Sequence, residues 1–321
     1  MIRAALAALR AAAALPAAAQ PFVVPVECTL GQTCFIQQFM DRDPGPGASD
    51  FACGPLSYDG HDGTDFAVPT RAAMDRGVAV LAPAAGTVRA VRDGMPDIAV
   101  GDPAAPALEG RDCGNGVVID HEGGWQTQLC HLAQGSVAVR GGQAVAAGEP
   151  VGRIGLSGRT EFPHLHLTVR RDGVAVDPFH PDPAATCDAA PAVTLWADPP
   201  PYRPGGLIGL GVAVAPPTFA AVKAGLPETP ALPRDAPALI VWAHLFGVRA
   251  GDRLMLRLAG PDGAVVNHDA TLERTQARAM RFAGRRMPAA GWPPGTYAAD
   301  AELTRDGAVI ERMAARVTIA P

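Results

Sequence analysis

Long runs of positive charge are missing from this sequence. Its 27 basic residues are scattered among 32 acidic ones, for a formal net charge of −5. Nucleic acid is held mainly by clustered Lys and Arg, so this pattern argues against a nucleic-acid partner. Long apolar runs are missing too. Beyond the N-terminal stretch nothing approaches the ~18 apolar residues of a membrane-spanning helix, and the run 207–214 is far too short. The six cysteines (Cys28, Cys34, Cys53, Cys113, Cys130 and Cys187) contain no Cys-x-x-Cys spacing, which argues against a thiolate zinc site. No convincing amphipathic helix can be read between 58 and 183, so the fold must be sought in strands.

What the sequence does have points the same way. With 36 Gly and 32 Pro it is rich in turns, and 48% hydrophobic residues suffice for real cores. A length of 321 residues suggests two domains. Met1-Ile2-Arg3, an Ala/Leu-rich run to Leu15 and then Pro16-Ala17-Ala18-Ala19 read as an export leader over 1–19, with Gln20 first in the mature chain. Arg10 interrupts the apolar run, and an Ala-rich surface helix is the competing reading. No cysteine follows the cleavage point, so no lipid anchor is expected. An even number of cysteines in an exported chain implies disulfides. Cys113 and Cys130 flank a hairpin and make the best pair.

Residues 20–57 read as an irregular N-terminal extension tied down by cysteines. From 58 to 183, short apolar runs alternate with Gly-based turns, placing strands at 78–82, 86–91, 116–121, 126–132 and 164–170. Residues 93–112 break that rhythm, as a wall of a binding groove or as a mobile surface insertion. Residues 184–237 are a Pro/Ala-rich connector with room for one early strand. From 238 to 321 strands resume at 238–245, 253–259, 264–268, 297–304 and 309–312, a spacing that suggests an immunoglobulin-like β-sandwich. That last region holds no catalytic cluster.

Chemistry concentrates in two short patterns. The first is His61-Asp62-Gly63-Thr64-Asp65, the second Pro163-His164-Leu165-His166-Leu167. Strand side chains alternate faces, so His164 and His166 point the same way. His131 falls between the two patterns. Together they supply imidazoles and a carboxylate suited to zinc, with an imidazole to spare for proton transfer. A bound metal brings the pKa of its water down to about 7 and polarises a carbonyl under attack. A neutral imidazole nearby takes a proton from that water or hands one to a leaving amine. His121, His180, His244 and His268 lack partners at ligand spacing and read as packed core residues. Asp59 and Asp62 read as turn residues, and Asp177 before Pro178 as a strand end.

At these residues the sequence resembles the LytM/lysostaphin-type zinc endopeptidases, over residues 58–180. His61-Asp62-Gly63-Thr64-Asp65 is similar to that family's His-x-Gly-x-Asp motif. Residues 83–88, the strand from Gly114 to His121, and the pair Gly142-Gln143-Ala144-Val145 and Gly152-Arg153-Ile154-Gly155 are similar to its further landmarks, in order. The resemblance implies an antiparallel β peptidase domain of LytM (duplicated hybrid motif-like) type at 58–183. It implies one zinc ion per chain, held by His61, Asp65 and His166. It leaves His131 and His164 as unligated catalytic histidines, His164 being the better general base and His131 orienting water or stabilising an oxyanion. It implies peptidoglycan peptides as substrate, in the periplasm or outside the cell. A non-catalytic wall-binding or hydrolase-activating protein is the alternative, and a peptidase acting on proteins is a third reading. The sequence departs from the family pattern at Phe162, where Gly is usual, at Thr168, where Glu is usual, and at Leu129, where an aromatic is usual.

Overall fold

The computed structural model describes residues 21–184, 187, 193–227, 229 and 231–320; the expected leader at 1–19 lies outside the described residues. The first unit contains β1 (Phe35–Gln38), β2 (Thr64–Ala67), α1 (Arg71–Asp75), β3 (Ala79–Leu81), β4 (Gly86–Arg92), β5 (Asn115–Asp120), β6 (Trp125–Leu132), β7 (Ala144–Val145), β8 (Pro150–Arg153), β9 (His164–Arg171) and β10 (Val174–Ala175). One antiparallel sheet runs β1-β2-β9-β6-β5-β4-β7, with β10 folded back onto β9, while β3 and β8 form a separate pair. The mostly β, antiparallel architecture expected from the sequence is the one the chain forms.

Alternation explains the central strand. Leu165, Leu167 and Val169 of β9 are at most 1% exposed and face the core. Burying each such side chain is worth about 1.5–3 kcal/mol, so a one-residue slip of register would be prohibitive. That constraint fixes the face on which His164, His166 and Thr168 appear. The helix α1 is only five residues long, too short to leave a periodic signal; it is nucleated by Thr70, whose hydroxyl accepts from the Ala73 amide at 3.1 Å.

The N-terminal segment packs into this unit. Phe22, Val26, Ile36 and Phe39, together with Leu195 and Trp196, share one buried cluster with Leu129 and Leu165 of the sheet. Three disulfides close it: Cys28–Cys34, Cys53–Cys187 and the expected Cys113–Cys130.

A second unit begins inside the stretch read as a connector. Strand β11 (Gly206–Ala213) is followed by helix α2 (Phe219–Ala224), β12 (Ala231–Leu232), β13 (Ala238–Val248), β14 (Arg253–Gly260), β15 (Gly263–Thr271), β16 (Gln276–Arg286), β17 (Gly295–Arg305) and β18 (Ala308–Ile319). They form a three-stranded sheet, β11-β13-β16, and a five-stranded sheet, β12-β18-β17-β14-β15. Residues of both sheets, among them Val241, Leu245, Leu256 and Leu303, meet in one core. His244 is buried on the other face of β13, against the Phe219 ring of α2, whereas His268 is exposed on β15; neither is part of this core. Phe35, Ala67 and Phe246 join the two units, with Phe162 and Ile208 packed against them.

Candidate metal centre

Strand pairing brings the two sequence patterns together. Strands β2 and β9 run antiparallel with Asp65 opposite His166 and Ala67 opposite His164, and β6 places Cys130 opposite His166 on the other side. Residues directly opposite lie about 4.5–5.5 Å apart at Cβ, so Asp65 and His166 can share one ion. His61 arrives from the turn leading into β2. Gly63, in the same turn, passes close against β9. A Cβ there would stand 2.5 Å from the Leu167 carbonyl oxygen and 2.7 Å from the His166 ring. Only glycine leaves room for His166 to sit between the strands.

His61 Nε2, Asp65 Oδ1 and His166 Nδ1 form one group. His61 Nε2 is 3.2 Å from both other atoms, and His166 Nδ1 is 2.8 Å from Asp65 Oδ1. Such a group can hold a metal ion. Each imidazole is anchored by its other nitrogen. His61 Nδ1 donates to the Phe39 carbonyl at 2.6 Å, which leaves the Nε2 lone pair for the centre. His166 Nε2 lies 3.2 Å from Asp62 Oδ1 and 3.1 Å from Thr168 Oγ1, which leaves Nδ1. Two imidazole nitrogens and a carboxylate oxygen, the rings oriented from behind, are a donor set suited to zinc. The residues present therefore fit the metal that the sequence motifs imply.

His131 and His164 stand beside this group with ring centroids 4.7 Å apart. His164 Nδ1 donates to the Phe162 carbonyl at 2.9 Å and lies 3.1 Å from Thr160 Oγ1, while its Nε2 is 3.4 Å from Asp65 Oδ1. His131 is the penultimate residue of β6 and has φ at +62°, a left-handed conformation rare outside glycine. It is over-determined there: its amide donates to the Cys113 carbonyl at 2.8 Å, its carbonyl accepts from Gly155, and its neighbour Cys130 is bonded to Cys113. Its Nδ1 donates to the Ser157 carbonyl at 2.8 Å.

Electrostatics sort the groups. Burial would raise the Asp65 carboxyl, but His164 and His61 close by, and hydrogen bonds from His164 and His166, hold it well below the usual carboxylate range. Burial, and then the neighbouring His164 and His166, push His131 well below the usual imidazole value, so it is neutral at neutral pH. For His166 burial acts downward, yet its hydrogen bonds to Asp62 and Asp65 raise it to about 9 in the metal-free protein.

All five residues singled out in the sequence thus meet in one place. The residues that orient them were not foreseen. Asp62, read as a turn residue, is instead a hydrogen-bond partner of His166, and its second oxygen lies 3.6 Å from Arg170. Nothing in the His-Asp-Gly-Thr-Asp string marks that role, because the register of a strand a hundred residues away creates it. Phe39, from the N-terminal segment, supplies the carbonyl behind His61. Tyr58 lies against the His61 ring, centroids 4.5 Å apart. The stretch 93–112 is pinned at its base: Asp97 accepts from the Leu156 and Gln134 amides, and Val100 donates to the Thr160 carbonyl. These contacts secure the segment that carries Ser157, Thr160 and Phe162.

Comparison with known proteins places this unit. Residues 59–178 match the profile of Peptidase family M23. The chain is 32% identical over 119 residues to an uncharacterized metalloprotease of Haemophilus influenzae, covering 37% of this chain and 20% of that protein. It is 36% identical over 107 residues to the DD-carboxypeptidase/endopeptidase Mpg of Neisseria meningitidis, covering 33% of this chain and 22% of that one. Among solved structures, a zinc-containing peptidase from Vibrio cholerae is similar over 49% of this chain and 39% of its own, at 26% identity and a TM-score of 0.34. The matches span about a fifth of the length of these curated relatives.

Proposed function

We propose, with the M23 peptidase domain at residues 59–178 as premise, that the protein is an exported zinc metalloendopeptidase that hydrolyses peptide cross-links or stem peptides of bacterial peptidoglycan. The observation that carries this reading is the convergence of a metal-ligating trio, His61, Asp65 and His166, with two imidazoles that are free of it. The Neisseria relative, a DD-carboxypeptidase/endopeptidase by name, supports a substrate of the cell-wall peptide class. Among the described residues no helix is long and apolar enough to cross a membrane. The leader at 1–19 would take the chain to its substrate, and the two-sheet C-terminal unit would be an immunoglobulin-like accessory module.

Zinc held by His61, Asp65 and His166 would supply Lewis acidity for attack on an amide carbonyl. The protein's own groups do the rest. His164, with Nδ1–H committed to the Phe162 carbonyl, turns its Nε2 toward Asp65; unprotonated in the zinc-loaded protein, that nitrogen would take a proton from the attacking water and return it to the leaving amine. His131 is bound to a carbonyl through Nδ1–H, so its neutral ring presents an acceptor at Nε2. That suits it to orient the attacking water; it can donate to an oxyanion only after gaining a proton. The test is incubation of the purified, zinc-loaded mature chain with peptidoglycan beside His164→Ala. New soluble muropeptides from the wild type alone are expected. About one zinc per chain with no cleavage of any peptide substrate would refute the reading.

A further inference from the structure

A side chain of the C-terminal unit reaches Phe162, the residue that backs His164. Arg278 lies on β16, opposite Phe246 of β13, and its guanidinium reaches across into the first unit. Its Nε donates to Gln37 Oε1 at 3.0 Å, and a terminal nitrogen lies 3.5 Å from the Val68 carbonyl oxygen. Gln37 is fully buried and returns a hydrogen bond from Nε2 to the Ala277 carbonyl at 2.8 Å. The guanidinium carbon sits 4.4 Å from the centroid of the Phe162 ring and 5.3 Å from that of Phe35. An amide, a carbonyl and two aromatic rings are thus its partners. This environment selects arginine over lysine: a planar, weakly hydrated cation stacks on rings while its edge donates, whereas a compact ammonium cannot do both.

Phe162 in turn touches His164 twice. Its carbonyl accepts from His164 Nδ1 at 2.9 Å, and its ring is nearly parallel to the imidazole, centroids 4.6 Å apart at 29°. Phe162 is also where the sequence departs from the glycine usual in the family it resembles. A large side chain at that position needs a wall to rest on, and Arg278 provides it.

We infer that Arg278 is a positioning residue of the hydrolytic site, holding Phe162 and through it the His164 ring, so that the C-terminal unit completes the site. This rests on the peptidase reading above. A purely adhesive Arg278 would matter to stability alone, whereas a positioning Arg278 matters to turnover.

The experiment compares zinc-loaded, full-length wild type with Arg278→Lys, Phe162→Leu, the double variant and, as control, Arg285→Lys at an exposed position of the same strand. Arg278→Gln replaces Arg278→Lys should the latter not fold. Cleavage of a soluble muropeptide gives kcat and KM, thermal melting gives stability, and the imidazole NMR signals of His164, assigned by their loss in His164→Ala, are followed in the metal-free proteins. Arg278→Lys should lower kcat by about tenfold with little change in KM, as expected for slight misplacement of a reacting group. It should also shift the His164 signals. The double variant should turn over no more slowly than Phe162→Leu, since the two act in series. Arg285→Lys should match the wild type. A lower melting temperature with kcat and His164 signals unchanged would overturn the inference, as would fully additive losses in the double variant. Should the wild type cleave no muropeptide, the peptidase reading fails, while the His164 signals still decide the role of Arg278.

Discussion

At His166 the ring nitrogen facing away from the centre meets Asp62 Oδ1 at 3.2 Å and Thr168 Oγ1 at 3.1 Å, and that contact selects which nitrogen is left for the metal. Such outer partners commonly govern metal affinity by 10–100-fold. Asp62→Ala should therefore weaken zinc binding by roughly that factor in a chelator competition, with the fold intact; unchanged affinity would remove Asp62 from the centre. A second residue, Asp177, responds to pH. Burial raises its carboxyl from 3.8 to about 6, against hydrogen bonds from Phe179 and the charge of Arg42. Below the unfolded value it is protonated in both states, and above the folded value it is ionised in both. Between the two the unfolded chain loses its proton first, so this group's contribution to stability falls as pH rises through that window. The shift corresponds to about 3 kcal/mol. Denaturant titrations of wild type and Asp177→Asn should show the wild type losing about that much relative to the variant between pH 4 and pH 7. A difference constant across that range would contradict the account.

Among the elements, β9 and the hairpin β5–β6 carry the site, and both were legible in the sequence. Alternating Leu and His across 164–167 marks one face for the core and one for chemistry, and Gly123-Gly124 marks the turn between β5 and β6. The strands that escaped notice lack that signature. Strand β2 is buried at all four positions and reads Thr-Asp-Phe-Ala, two polar residues followed by two apolar ones, so no alternation marks it. Strand β16 is built from Ala and Arg in place of β-branched residues. Strand β1 sits in an irregular stretch and is a strand because β2 offers it an edge. The same logic explains the site: ligands declare themselves by motif, whereas Asp62, Phe39 and Ser157 acquire their roles only from register and loop closure. The Cys113–Cys130 bond joins the start of β5 to the end of β6, closing 17 residues beside the strained His131. Replacing both cysteines by serine should cost about 3 kcal/mol in the chain-entropy picture, read as a lower denaturant midpoint, and should also depress kcat. Loss of stability without loss of turnover would show that His131 does not depend on that clamp.

On the scale of the whole molecule, the N-terminal segment is structural. It contributes Phe22, Ile36 and Phe39 to the core of the first unit, a strand to its sheet, and the carbonyl behind His61. A chain lacking residues 21–57 should consequently be insoluble or show no cooperative unfolding, and should gain no activity. An active, folded truncation would mean the segment is a removable cover. The two units have separate cores but are joined through Phe35, Phe246 and Arg278, and the Phe162 segment behind His164 is part of that joint.

The proposed function turns on a division of labour among four imidazoles and one carboxylate. The most direct measurement is a crystal structure of the zinc-loaded protein with anomalous data at the zinc edge. Expected is a single peak about 2.0–2.2 Å from His61 Nε2, His166 Nδ1 and an Asp65 oxygen, with His131 and His164 outside bonding distance. A peak bonded to His164 or His131, or one that leaves Asp65 or His166 unligated, would contradict it.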